Sequence, residues 1–277
     1  MTVATLTEVL GPALAGGYAV AGLVCLGWED MRAYVAAAEA EAAPVILQAG
    51  PSCRDHTPLP VLGAMMRHLA EAAAVPVVVH LDHARRIDEC RAGIEAGFTS
   101  VMFDGSALPL RQNIDDTAAV VALARRHGVS CEGEVGYVGY ARGARSNGTE
   151  PAEAARFARE TGVDALAVSI GNLHLQERAG APLDEARLAA IEAVTTLPLV
   201  IHGGSGVPLD QRRRLARTTR VCKFNIGTEL RMAFGAALRQ ALARDPARFD
   251  RLAILRETED PVMQAARLAI RTIGPHR

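Results

Sequence analysis

Eight short apolar runs rich in Val, Ile and Leu recur along the chain, roughly one every 30 residues, and few folds accommodate that pattern. They are YAVAGLVC (18–25), APVILQA (43–49), VPVVVHLDH (75–83), TSVMFDG (99–105), VSCEGEVG (129–136), ALAVSIG (165–171), LPLVIHGG (197–204) and VCKFNIG (221–227). The linkers read as helices: WEDMRAYVAAAEAEA and DEARLAAIEAV place Ala, Leu and Val three and four apart between charges. Gly and Pro punctuate the turns, as in AGFTS and TTLPLV. Alternating strand and helix implies a parallel sheet. Eight such units in one chain predict an α/β fold, a closed (β/α)₈ TIM barrel, rather than a doubly wound sheet. A dinucleotide-binding sheet would also want G-x-G-x-x-G after the first strand, and none is there. No linker composition marks a second domain, so residues 1–277 read as a single barrel. Its C-terminal stretch, about 229–277, reads as the last barrel helix plus further helices of the kind that cap a barrel or form a subunit interface.

Composition narrows the partners. Hydrophobic residues make up 49% and charged residues 22%, enough for a large core. A formal net charge of −1 gives no electrostatic reason to expect nucleic acid or a membrane, and 4% aromatics argue against base stacking. The five cysteines are scattered without a C-x-x-C pair, and no signal peptide or bilayer-spanning run is visible, so the expectation is a reduced, cytoplasmic setting. Lys223 is the only lysine, so Schiff-base chemistry has a single candidate.

In such a barrel, chemistry gathers where strands end at the C-terminal face. Four of the eight histidines sit there: His80 and His83 after strand 3, His174 after strand 6, His202 on strand 7. Imidazoles and carboxylates ending a buried strand are costly unless paired or holding a metal. Three neutral imidazoles at one mouth make a catalytic zinc site with an open position. Asp104 and Glu134, also at strand ends, would bind a second cation or hold the imidazoles in place. The glycine-rich turn HGGSGVP (202–208), and Asn225, Gly227 and Thr228 in KFNIGTEL at a helix start, suit an anion such as phosphate.

Taken together, HLDH, MFDGS, EGEVG, SIGNLH, HGGSG and NIGTEL resemble the class II, metal-dependent ketose-bisphosphate aldolases, the fructose- and tagatose-bisphosphate group, along most of the chain. The resemblance implies Asp82 as the catalytic acid that protonates the aldehyde-side oxygen during cleavage. It implies His83, His174 and His202 as ligands of a zinc ion or another divalent cation. Asp104 and Glu134 would serve a second metal or a monovalent cation, and Gly203, Gly204, Ser205, Asn225, Ile226, Gly227 and Thr228 the substrate phosphate. His80 is expected to support rather than ligate. The partner is then a small sugar substrate, and the family resemblance implies a homo-oligomer, dimer or tetramer. Cleavage leaves a carbanionic fragment whose charge a Lewis-acidic ion stabilises by several kcal/mol.

Three departures matter. Leu175 in GNLHLQ stands where a glycine usually follows the second metal histidine. The loop GYVGYARGARSNG lacks the usual adjacent acids, leaving Tyr140 or Glu150 for proton transfer, and Arg142 and Arg145 to meet an anionic substrate group. An asparagine expected near the end of strand 1 is missing from AGLVCLGW. These changes predict an aldolase whose best substrate is not fructose 1,6-bisphosphate. Three other readings stay open: a non-catalytic accessory subunit, a zinc hydrolase, and a Lys223 Schiff-base aldolase.

Overall fold

A computed structural model describes residues 2–180 and 183–275. All eight expected strands form: β1 Val20–Val24, β2 Val45–Ala49, β3 Val77–Ala84, β4 Ser100–Phe103, β5 Ser130–Val135, β6 Ala165–Val168, β7 Leu199–Ile201 and β8 Val221–Ile226. Each pairs in parallel with the next, and β8 returns to β1 through Lys223↔Val20 to Ile226↔Leu23, closing the barrel. The strands are mostly shorter than the apolar runs.

The helices are α1 Leu6–Gly16, α2 Trp28–Ala40, α3 Pro51–His56, α4 Leu59–Ala72, α5 Ile87–Glu95 and α6 Leu110–Arg126. They continue with α7 Pro151–Thr161, α8 Glu185–Glu192, α9 Leu209–Thr218, α10 Thr228–Arg244 and α11 Arg251–Ile273. Strand faces turned outward pack against the helices in the main core, with Leu47, Val79, Phe157 and Phe224 fully buried. Helix α11 extends beyond the eight-unit pattern and is tied to α2 by Arg32 and Glu259 at 2.8 Å.

The barrel floor was not visible in the strand pattern. Val3–Ala4 adds a short parallel strand beside β3, and α1 then crosses beneath the barrel. Thr5 and Glu8 cap α1 reciprocally, satisfying orphan N–H groups. Leu6, Val9, Leu10 and Ala13 meet Val20, Ile46, Val78 and Val200 from inside the strands, so the lower half is a closed apolar plug. The charged interior residues lie above this plug, while at the floor itself Ser130 Oγ meets the N–H and hydroxyl of Thr7 on α1.

One irregularity sets up the upper half. The β7–β8 register slips, Leu199 facing Val221 but Val200 facing Lys223, so β8 carries an extra residue. The slip lets Cys222 join the floor while Lys223 points into the layer above, the re-aiming for which bulges are used. Replacing Leu10 with alanine opens the plug; it is expected to lower the unfolding free energy by about 2–4 kcal/mol in urea titration, and a loss near zero would show that α1 does not hold the floor.

Candidate active site

The end of β3 builds the centre. Alternation sends Val78, His80 and Asp82 inward, and His80 and Asp82 are buried. The next residue, His83, has φ of +52°, a left-handed conformation costing of order 1–3 kcal/mol for a side chain with a Cβ. That turn brings His83 to the mouth beside Asp82. Arg54 of α3 holds it in place: its guanidinium donates to the carbonyls of Ala49 at 2.8 Å and Asp82 at 2.5 Å, and to His83 O at 3.2 Å.

Below the mouth lies a buried charge pair. Lys223 Nζ donates to Glu132 Oε2 at 2.6 Å, and both side chains are fully buried. Lys223 also donates to His80 Nε2 at 3.4 Å, so His80 turns its Nδ1–H to Ser100 Oγ at 2.8 Å. Burial and the Lys223 charge push the His80 pKa down to about 3, so the ring is neutral. The other oxygen of Glu132 accepts from His202 Nε2 at 3.1 Å. Burial would raise the Glu132 carboxyl, but Lys223 and His202 hold it well below the usual range.

Three imidazoles converge above this pair. Ring centroids lie 4.6 Å apart for His83 and His202, 5.2 Å for His83 and His174, and 5.7 Å for His174 and His202. One nitrogen from each lies within 4.8 Å of the others, and His83, Asp104 and Glu134 form a second group by the same measure. His83 Nδ1 donates to Asp104 Oδ2 at 2.8 Å, leaving Nε2 its lone pair. Ser106 N–H and Oγ donate to the other oxygen of Asp104. His202, committed to Glu132 through Nε2, turns Nδ1 toward Glu134 Oε2 at 3.2 Å, yet neither atom has a hydrogen-bond partner.

Two buried lone-pair atoms facing each other repel unless a positive charge lies between them. Burial would push the His202 pKa down, but Glu134 and Glu132 overcome it and raise it to about 10. A pocket that holds a proton so firmly also suits a cation. The donor set, imidazole nitrogens with carboxylates in reserve, fits a divalent transition metal. His174 completes it as a neutral donor, its pKa lowered to about 3 by burial and by His83 and His202.

A cleft of roughly 940 Å³, counting space open to solvent, runs from this centre across the mouth. Asp82, His83, His174, Tyr140, Gly203, Ser205, Asn225, Gly227 and Thr228 all line it. Gly203 has φ of +63°, and a Cβ there would meet Leu173 O at 2.0 Å, so this turn requires glycine. Ser205 Oγ accepts from the N–H groups of Gly227 and Glu229, clasping the start of α10. Gly204 and Ile226 do not line the cleft; Ile226 is buried in the strand–helix core, so its side chain faces away. Asn225 donates to Asp82 Oδ1 at 3.3 Å and leaves its own Oδ1 unpartnered.

The loop after β5 divides its residues. Gly139–Tyr140 pairs in parallel with Leu173–His174, and the Tyr140 ring packs on His174 at 5.0 Å. Arg142 and Arg145 are exposed and not among the cleft-lining residues, and Arg142 pairs with Glu177 at 3.2 Å. Glu150 caps the far end of the loop before α7, exposed, 3.2 Å from Arg187, so it is not brought to the site. Leu175 sits at φ +58° at the cleft edge, and Val24 walls the cleft where the asparagine was expected. Sequence reasoning missed Glu132, Arg54 and the bridging role of Lys223; the signal for Glu132 was its i, i+2 spacing from Glu134 on one strand face.

Comparison with known proteins agrees over nearly the full chain. A family model described as fructose-bisphosphate aldolase class-II matches residues 4–276. The 6-phospho-5-dehydro-2-deoxy-D-gluconate aldolase of Shouchella clausii is 36% identical over 277 residues, covering 97% of this chain and 94% of its own. The fructose-bisphosphate aldolase of Geobacillus stearothermophilus is also 36% identical, over 269 residues, 95% of this chain and 93% of its own. The crystal structure of the YdjI aldolase from Escherichia coli K12 superposes with a TM-score of 0.87 at 29% identity, covering 99% and 98% of the two chains. Among the described residues no helix is long and apolar enough to cross a membrane.

The buried pair gives a direct test. Lys223→Met strands the Glu132 charge, and should cost about 3–5 kcal/mol of stability in denaturant titration. The double variant with Glu132→Gln should recover much of that loss. A single-variant cost below about 1 kcal/mol would show that the pair is not structural.

Proposed function

This chain belongs to the class II fructose-bisphosphate aldolase family, and on that premise we propose that it cleaves a ketose phosphate by retro-aldol chemistry with zinc at His83, His174 and His202. The observation that carries the proposal is the convergence of those three imidazoles, one nitrogen from each within 4.8 Å of the others, with Asp82 in the same cleft. When bound, the ion would act as a Lewis acid on the negative charge that develops as the carbon–carbon bond breaks.

The chain's own residues then divide the remaining work. The backbone of Gly203 and the start of α10 at Gly227 and Thr228, with Ser205, would grip the phosphate, helped by the helix dipole. Burial would raise the Asp82 pKa, but His83 and Lys223 lower it, so Asp82 is ionised at neutral pH. In the cleavage direction it therefore accepts the hydroxyl proton of the carbinol carbon, which becomes the aldehyde. The expectation of an acid applies to the reverse, condensing direction. Asn225, donating to Asp82 Oδ1, aims that carboxylate.

The fragment left behind needs a proton on carbon. We assign that proton to Tyr140, which holds it at neutral pH as tyrosines do, although burial raises its phenol above the ordinary value and so makes it a weaker acid. It lines the cleft against His174, whereas Glu150 stands outside it. For the substrate, relatives named 6-phospho-5-dehydro-2-deoxy-D-gluconate aldolase, together with Val24, Leu175 and the acid-free loop, favour a ketose phosphate other than fructose 1,6-bisphosphate. In 6-phospho-5-dehydro-2-deoxy-D-gluconate the bond to break separates a dihydroxyacetone phosphate half from an aldehyde half bearing a carboxylate.

Three outcomes are expected. EDTA should abolish cleavage and zinc restore it, and stoichiometric metal should be lost in His174→Ala; full activity in EDTA would defeat the proposal. Asp82→Asn should lower kcat about 10²–10⁴-fold while retaining the metal. Tyr140→Phe should slow deuterium exchange into dihydroxyacetone phosphate at least about tenfold, with Glu150→Gln unchanged; the opposite ranking would reassign the proton donor. Faster cleavage of fructose 1,6-bisphosphate than of the gluconate-derived ketose would overturn the substrate preference.

A further inference from the structure

The proposed chemistry leaves unused a buried arginine, Arg212 of α9, which is only 2% exposed. Its Nε donates to Val207 O at 2.7 Å, and its fork donates to both carboxylate oxygens of Glu229, at 2.9 and 2.7 Å. One guanidinium thus ties the end of the β7 turn to the first turn of α10. Burial singles it out of a run of three: Arg213 and Arg214 are exposed, and Arg214 pairs with Glu185. A buried charge pair is not cheap, because both groups lose water. The place of this one gives it a use.

Glu229 is the second residue of α10, one beyond Thr228 and two beyond Gly227, so it belongs to the helix start assigned to the substrate phosphate. Ser205 is the partition. It lines the cleft, its Oγ accepts from the N–H groups of Gly227 and Glu229, and it also lines the neighbouring groove where Arg212 and Glu229 meet. The positive end of a helix attracts a carboxylate and a phosphate alike. An unpaired carboxylate there would repel a phosphate dianion through a part-buried medium that screens poorly. The bidentate fork cancels that charge. Among the described residues Glu229 pairs with no other cation.

We infer that Arg212 is a positioning residue for the substrate phosphate: by pairing with Glu229 it keeps the start of α10 receptive to an anion. The inference rests on the aldolase reading above, and adds what makes its phosphate site usable. Because the effect is one of charge, removing the acid together with the base should leave the site working.

The test is condensation of dihydroxyacetone phosphate with neutral glycolaldehyde by the zinc-loaded enzyme. Arg212→Met should raise KM for dihydroxyacetone phosphate about 10- to 100-fold, with kcat and KM for glycolaldehyde changed less than about threefold. Adding Glu229→Gln to that variant should return KM to within about threefold of the wild type. Glu229→Gln alone leaves the guanidinium's charge behind the site and should lower KM about 3- to 10-fold; it decides the matter if Arg212→Met does not fold. An equal loss with glycolaldehyde, no loss in Arg212→Met, no rescue in the double variant, or an unchanged or raised KM in Glu229→Gln would overturn the assignment. Inorganic phosphate supplies a readout without turnover: it should raise the unfolding temperature of the wild type and the double variant, but not of Arg212→Met. Equal shifts in all three, or none, would count against Arg212. The expected pattern in an inactive wild type would defeat the aldolase reading and keep the role of Arg212. An active wild type whose Arg212→Met variant binds dihydroxyacetone phosphate as tightly would do the reverse.

Discussion

The contact between Lys223 and Glu132, 2.6 Å inside a closed barrel, is the constraint on which the mouth depends. Neither charge is tolerable alone at that depth, and together they are not cheap, because both are stripped of water. What they provide is orientation. Glu132 offers its second oxygen to His202, which fixes that ring with Nδ1 upward, and Lys223 offers a proton to His80, which fixes that ring neutral. The bulge in β8 is what makes the pairing possible, since an unbroken ladder would send Lys223 toward the helices. A single irregular residue on the eighth strand thus determines how an imidazole on the seventh presents itself.

The eight strands were legible because strands buried on both faces must be apolar runs, and helices wrapped around them must be amphipathic. The floor was not, because α1 follows a two-residue strand that no periodicity can reveal; only the reciprocal Thr5–Glu8 cap announced a helix start. Strand-end histidines were legible from position alone. Pairing was not: Glu132 and Glu134 share a strand face and are equally buried, and only the closed barrel shows one tied to Lys223 and the other keeping an unpartnered oxygen. The loop arginines misled for a related reason. A charge in a loop carries no label for which side of the loop it faces, so Arg142 and Arg145 looked substrate-facing.

The departures from the family pattern fall together in space. Leu175 adopts a left-handed backbone that glycine would take freely, and it is half-exposed, so packing does not oblige a leucine there. Val24 presents its methyl groups to the same cleft, beside Gly227. Tyr140 covers His174 from the β5 loop, held by a two-residue ladder to the very segment that carries that histidine. The three imidazoles and Asp82 fit the family resemblance while the rim departs from it, the arrangement expected when bond-breaking chemistry is retained and the substrate's outer parts change.

The charge around the imidazoles explains why the rim alone cannot define function. Asp82, Asp104 and Glu132 are held ionised, and Glu134 turns an unpartnered oxygen into the same space, against Lys223 and the proton that the site holds on His202. That excess of negative charge favours a positive charge among the rings. The pocket admits a proton on His202 or a cation among the three rings, and these exclude each other at Nδ1. A divalent ion held there would remove the lone-pair conflict between His202 and Glu134. The acids that support the imidazoles therefore also set the negative charge that a cation at the three rings would balance.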